Sequence, residues 1–339
     1  MRPLLSDSAV VLVLGLAGAV IVLAQHDDPR RPVKLAQATP PTSGVAPVAA
    51  APASAAHPAS GASAPQFEPP PDSAIPGNDF GKEVKLGQAI FNGTSPLAAP
   101  FVGNSLRCAS CHLDAGRLPN SAPLWSAYLT YPAYRSKNKH VNTLAERMQG
   151  CFTYSMNGKA PPLGDKVLVA LESYAFFLAK GAPVGVKLAG GGYPTPPKPA
   201  LAMDFDRGAK VFASKCALCH GTDGQGQASA GATVFPPLWG PKSFNWGAGM
   251  GSIKNAAGFI KANMPFSQGN TLSDQEAWDV AMFMDSHERP QDPRFKGSIA
   301  DTRKQHHDSP MDMYGQVVNG QLLGKGTAVA AKAGKQVLP

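Results

Sequence analysis

The chain is short of charge and of aromatic rings. Of its 339 residues, Asp, Glu, Lys and Arg make up 16% and Phe, Trp and Tyr 8%, whereas 35 glycines and 33 prolines supply about a fifth. So much Gly and Pro is incompatible with a chain folded along its whole length and leaves a good part of it to loops and linkers. The uncharged apolar run from Ala9 to Ala24 has 16 residues, short of the roughly 20 that a spanning helix needs. No recognised nucleic-acid motif accompanies the scattered basic residues, which argues against nucleic acid. The net charge of +8 therefore suits an acidic partner or a small anion. Cysteine is scarce too: there are five, and outside one pattern no Cys/His pairs stand at zinc spacing, which makes a zinc site a poor reading.

That one pattern organises the rest. Cys108-Ala109-Ser110-Cys111-His112 returns as Cys216-Ala217-Leu218-Cys219-His220. Two cysteines two residues apart, followed at once by histidine, read as a c-type haem attachment site: the thiols form thioethers to the porphyrin vinyl groups and the histidine ligates iron. A redox dithiol would not need the histidine or the repetition. Two covalent haems c are expected, held by Cys108, Cys111, Cys216 and Cys219, with His112 and His220 on iron.

Taken in order, residues 1–31 hold the apolar run, readable as a signal peptide ending at Val22-Leu23-Ala24 or as a retained membrane anchor; both export the chain. Residues 32–80 are rich in Ala, Pro and Ser without apolar periodicity and read as a disordered linker. Two internal repeats follow, at 81–190 and 204–293. Each opens with Gly-x-x-(Ile/Val)-Phe, at Gly87 to Phe91 and Gly208 to Phe212. Each then presents its haem motif and closes with an amphipathic helix, the second entered through a Ser273 to Glu276 capping box. That order resembles class I cytochrome c domains, so the expected fold is all-α, two such domains in tandem. Residues 191–203, with Ala189-Gly190-Gly191-Gly192 just ahead, read as an exposed connector, and 294–339 as an irregular C-terminal tail.

The residue across the iron from histidine sets much of a haem's redox character. In the second repeat Met264 stands 45 residues beyond Cys219, and Met282 and Met284 read as core. In the first repeat the lone cysteine, Cys151, stands 40 residues beyond Cys111, in the place methionine holds in the second. The alternatives there are Met148, Met156 or His140. Thr143 to Glu146 forms a second capping box, and on a continued helix Arg147, Cys151 and Ser155 share a face. Arg147 could then grip an oxyanion bidentately beside a nucleophilic thiolate, with Arg135, Lys137, Lys139 and Lys159 as further positive charge; singly, each of those four reads more simply as a solvated surface group.

The segment from Val141 through Arg147, Cys151 and Phe152 to Ser155-Met156-Asn157-Gly158 resembles the haem-ligand segment of the dihaem thiosulfate dehydrogenases. The resemblance runs from about Gly81 to Gly320 and includes His306-His307-Asp308-Ser309 to Met313-Tyr314-Gly315. It implies a periplasmic enzyme that oxidises two thiosulfates to tetrathionate and sometimes works in reverse. The active haem would be ligated by His112 and Cys151, with Arg147, Ser155 and Arg135 around the anion, and the exit haem by His220 and Met264. Electrons would leave to a small cytochrome or a membrane-bound acceptor. Some relatives carry a lysine just before the methionine; Asn263 stands there, so plain His/Met ligation is expected. The rivals are a dihaem electron carrier, a SoxA-like thiolate-haem subunit acting on a protein-bound sulfur carrier and, less well supported, a dihaem peroxidase.

Overall fold

The computed structural model describes residues 66–136, 138–229 and 232–327. The signal or anchor segment, the linker up to residue 65 and Lys137 lie outside the described residues. The helices of the first repeat are α1 Asp79–Asn92, α2 Thr94–Leu97, α3 Leu113–Gly116, α4 Leu124–Thr130, α5 Leu144–Gly150 and α6 Lys166–Leu178. Those of the second are α7 Phe205–Lys215, α8 Ala217–His220, α9 Ile253–Asn263 and α10 Asp274–Asp285, and α11 Ile299–His306 lies beyond. Extended structure is confined to small antiparallel hairpins: β1 Ala133–Arg135 with β2 His140–Asn142, β3 Gln227–Ser229 with β4 Ala232–Phe235, and β5 Val317–Val318 with β6 Gln321–Leu322.

The repeated Gly-x-x-(Ile/Val)-Phe has a packing cause. α1 crosses α6, and α7 crosses α10, as the main contacts of each half. At the crossings a Cβ on Gly87 would lie 2.0 Å from the Ala170 carbonyl oxygen, and one on Gly208 would lie 2.2 Å from that of Asp279. Only glycine lets these backbones approach so closely. Phe91 and Phe212, four residues on, are buried against the same seams. α6 has a nearly all-round apolar surface, with Leu168, Ala170, Tyr174, Ala175 and Leu178 at 1% exposure or less. Both capping boxes form: Thr143 Oγ1 accepts from Glu146 N at 3.2 Å, and Ser273 Oγ accepts from Glu276 N at 3.2 Å. Each such cap contributes about 1 kcal/mol.

Three regions differ from their sequence reading. The stretch around residues 189–197 is no exposed strap. Gly190 O, Gly191 O and Gly192 O accept from Asn120 N, Ser126 Oγ and Ala122 N, while Pro197 O accepts from Trp278 Nε1 at 2.8 Å. Gly and Pro mark irregular backbone, but their carbonyls are free to satisfy donors on both halves, which holds the segment down. The tail is not irregular throughout: Ser298 caps α11, accepting from Asp301 N at 3.2 Å. Beyond α11, His307 is clamped between Asp292 and Asp312, at 2.9 and 2.8 Å. Finally, residues 66–78 pack on the first half, with Phe67 edge-on to Trp125 at 5.5 Å and Arg117 bonded to Asp72 and to Pro70 O.

Candidate functional site

The two motifs are held in the same way. Each cysteine pair begins a short helical turn, and each histidine spends Nδ1 on a backbone carbonyl: His112 on Ala122 O at 2.7 Å, His220 on Pro236 O at 3.0 Å. With Nδ1 donating, Nε2 is the nitrogen left for a metal, oriented by its partner. Burial pushes the Cys108 and Cys111 thiols up to about 12 and Cys216 up to about 11. A redox dithiol needs the opposite shift, so these cysteines suit covalent attachment. A cavity of about 520 Å³ has Cys216, Cys219, His220 and Met264 in its wall together with Cys111 of the first motif and Leu113 just after it. Apolar, large and bordered by both motifs, it fits a porphyrin.

Met264 follows α9 directly and faces that cavity. Its neighbour Asn263 is buried and donates through Nδ2 to Asn120 O of the first half at 3.1 Å. Met284 is in the core, 5% exposed, and also borders the cavity; Met282 packs on the core.

Cys151 lies near the cysteines of the first motif. Its charge acts on Cys108 and Cys111, raising both, and Arg147 acts on His112. Arg147 Nη1 donates to Cys151 Sγ at 2.9 Å, and that thiol is the main cause of the raised value of the guanidinium. It is the one hydrogen bond that the Arg147 side chain makes among the described residues. Of the other candidate ligands, Met148 and Met156 are buried in the hydrophobic core, and His140 is exposed on β2, bonded to Asn138 O and Asn142 Nδ2.

The helix runs on through Cys151, whose N–H still donates to Arg147 O, but its winding widens there. α5 ends at Gly150, and Cys151–Ser155 winds as a π-turn with Met156 N donating to Cys151 O at 2.9 Å. Such wide turns recur at functional sites. Ser155, half-buried at the end of the turn, is thus placed by π and not α geometry. Arg135 sits on β1 opposite His140. Among the described residues no hydrogen bond or ion pair joins it to Arg147 or Cys151, and Lys139 and Lys159 are exposed. Sequence reasoning missed Tyr193. Its ring lies 6.4 Å from that of His112 and 5.7 Å from that of Phe259 in the second cavity's wall, and its hydroxyl is under the influence of Cys111, Arg147 and Cys151. A lone aromatic in a Gly/Pro stretch was the available signal.

Two haem c sites built on paired helices define a dihaem cytochrome c. A family model for the SoxA/TsdA cytochrome c domain matches residues 99–184, and one for cytochrome c oxidase cbb3-type subunit III matches residues 203–284. The thiosulfate dehydrogenase of Thiomonas intermedia is 63% identical over 259 residues, covering 76% of this chain and 82% of its own. That of Stutzerimonas stutzeri is 52% identical, covering 78% and 87%. The "as isolated" thiosulfate dehydrogenase (TsdBA) structure from Marichromatium purpuratum aligns with a TM-score of 0.76 at 50% identity, over 78% of this chain; the chain spans 58% of that one. The chain belongs to the thiosulfate dehydrogenase family.

Proposed function

We propose that the chain oxidises two thiosulfates to tetrathionate at the first site and exports the electrons through the second. The carrying observation is the half-buried Arg147–Cys151 pair, 2.9 Å apart, close to the first haem motif. When bound, the haem irons supply one-electron acceptance, so that the two electrons lost as the S–S bond forms can leave one at a time. The residues supply the rest. His112 and Cys151 would hold the first haem. The Cys151 sulfur would bond to the outer sulfur of one thiosulfate, giving up two electrons, and a second thiosulfate would attack that outer sulfur, releasing tetrathionate and restoring the Cys151 thiolate. Arg147 holds Cys151 Sγ with one N–H and keeps its remaining donors for sulfonate oxygens. Two dianions repel, and a desolvated guanidinium offsets that repulsion far better than an exposed lysine. Ser155, on the same turn, adds a hydroxyl donor, and Arg135 on its hairpin contributes at the entrance.

At the second site His220 and Met264, which line one cavity, would hold the haem iron. Thioether ligation gives the higher potential of the two, which draws electrons away from the thiolate site. Cys111 and Cys219 line the same cavity, so the electrons need cross only from one motif to the other within it. The acceptor beyond is a small cytochrome or a membrane-bound carrier, and the site of action is the periplasm. Among the described residues no helix is long and apolar enough to cross a membrane. The test is steady-state reduction of an artificial one-electron acceptor by thiosulfate with the haem-loaded protein, tetrathionate being quantified. Stoichiometric tetrathionate in the wild type, lost in Cys151→Ala with both haems retained, is expected. Full activity in Cys151→Ala would overturn the assignment.

A further inference from the structure

The π-turn that carries Cys151 leaves backbone carbonyls that no helix satisfies. Cys151 O and Phe152 O are taken locally, by Met156 N and Gly158 N, both at 2.9 Å, and Met156 O by Gly103 N at 2.9 Å. The three between them are taken by asparagines. Thr153 O accepts from Asn245 Nδ2 at 2.9 Å, Tyr154 O from Asn245 backbone N at 3.1 Å, and Ser155 O from Asn104 Nδ2 at 2.9 Å. Asn245 is fully buried, its Nδ2 also donates to Asn157 Oδ1 at 3.0 Å, and its Oδ1 accepts from Gly247 N at 3.0 Å. Asn104 Nδ2 reaches Ser243 O as well, at 3.1 Å. The segment 243–245 thus grips the turn directly through Asn245 and indirectly, with Ser243 O steadying Asn104, through its first residue.

The residue between them faces elsewhere. Phe244 is 4% exposed and stands in the wall of the cavity that holds Cys219, His220 and Met264. One short stretch therefore touches the turn directly with Asn245, and through Asn104 with Ser243, and the cavity of the second site with Phe244. Carbonyls at the open end of a wide turn do not fix its pitch by themselves, so whatever donates to them sets where Cys151 and Ser155 come to rest. Asn245 supplies two of the three donors.

We propose that Asn245, assisted by Asn104, is a positioning residue of the catalytic site: the second half of the chain holds the π-turn in the register that places Cys151 Sγ on the first haem iron. This rests on the assignment of Cys151 as distal ligand. An asparagine with one side-chain N–H pair and one backbone N–H can span adjacent carbonyls, which Ala cannot do with its side chain and Asp cannot do as a donor. The same span couples the two sites mechanically, since a shift of the Phe244 wall moves the donors of the turn.

The experiment is electron paramagnetic resonance of the oxidised, haem-loaded full chain in the wild type, Asn245→Ala, Asn104→Ala and Cys151→Ala. The wild type should show one thiolate-ligated low-spin haem and one His/Met haem, and Cys151→Ala should lack the first. Asn245→Ala is expected to lose or shift at least about half of the thiolate signal and to slow tetrathionate formation on the order of tenfold, the scale of a misplaced reacting group. Asn104→Ala should do the same more weakly, and both should keep the His/Met signal, which a general loss of structure would not. If Asn245→Ala does not load haem, Asn104→Ala decides. An unchanged thiolate signal in the loaded variants would overturn the positioning role while leaving the Cys151 assignment intact; a wild type without that signal would overturn both.

Discussion

The two haem sites share their frame and differ in what faces the iron. Both use a helix crossing closed by a glycine, a Cys-x-x-Cys-His turn, and a histidine whose Nδ1 is tied to a backbone carbonyl. Near the first motif stands Cys151, at the start of a π-turn and bonded to the half-buried Arg147 of α5. The second offers Met264 in a wall of Phe259, Ile260 and Phe244. A frame this similar attaches and orients the same cofactor twice. In the proposed mechanism a few residues outside that frame decide the chemistry: a nucleophilic sulfur with an anion-binding partner would make a reacting site, and a thioether among hydrocarbon a relay.

The comparison breaks most completely at Cys151. Cys151→Ala should lower tetrathionate formation by a factor on the order of 10³ or more, with both haems still covalently attached, as read by acceptor reduction and haem content. Arg147→Lys keeps the charge but not the planar fork, and should cost roughly 10² in kcat/KM for thiosulfate. Met264→Ala sharpens the contrast from the other side. It should shift the potential of the second haem and slow steady-state turnover about tenfold, while the first haem is still reduced in a single mixing with thiosulfate. Ser155→Ala, losing one hydrogen bond to a charged ligand, should raise KM by roughly tenfold with little change in kcat.

The smallest effect on turnover concerns the tail, and it is read by stability. Burial opposes the charge on His307, but hydrogen bonds to Asp292 and Asp312 outweigh it and raise the imidazole above its ordinary 6.5. Burial likewise opposes Asp292, yet bonds from His307 and Arg294 hold that carboxyl well below its ordinary 3.8. The folded chain therefore binds the His307 proton more tightly than the unfolded chain, a stabilisation present below pH 6.5 and lost as pH rises through the raised value. Asp292 adds stability present above pH 3.8 that is lost as pH falls through its depressed value. The difference in melting temperature between wild type and His307→Gln should be greatest at about pH 5–6 and shrink toward alkaline pH.

What the sequence made legible was whatever repeats or pairs locally. The two Cys-x-x-Cys-His turns, the Gly87 and Gly208 seams and both capping boxes are short-range patterns, and each has its counterpart in the fold. The place of Cys151 could be read only by laying one repeat over the other, and its bond to Arg147 follows from a four-residue spacing. The π-turn was not legible, because its pitch depends on donors from Asn245 and Asn104, far away in the chain. The same holds for the tail, where Asp292 and His307 meet across a loop, and for Tyr193, whose Gly/Pro surroundings suggested exposure while its carbonyl neighbours bound it to the interior. Local composition reports backbone type; it does not report which distant donor needs an acceptor.

In the proposed mechanism thiosulfate is oxidised at Cys151 and nowhere else. The most direct measurement mixes the haem-loaded Cys151→Ala chain anaerobically with thiosulfate, without acceptor, and follows haem reduction. It should stay oxidised, although dithionite reduces both haems, while the wild type is reduced as tetrathionate appears. Reduction of Cys151→Ala by thiosulfate at the wild-type rate would contradict it.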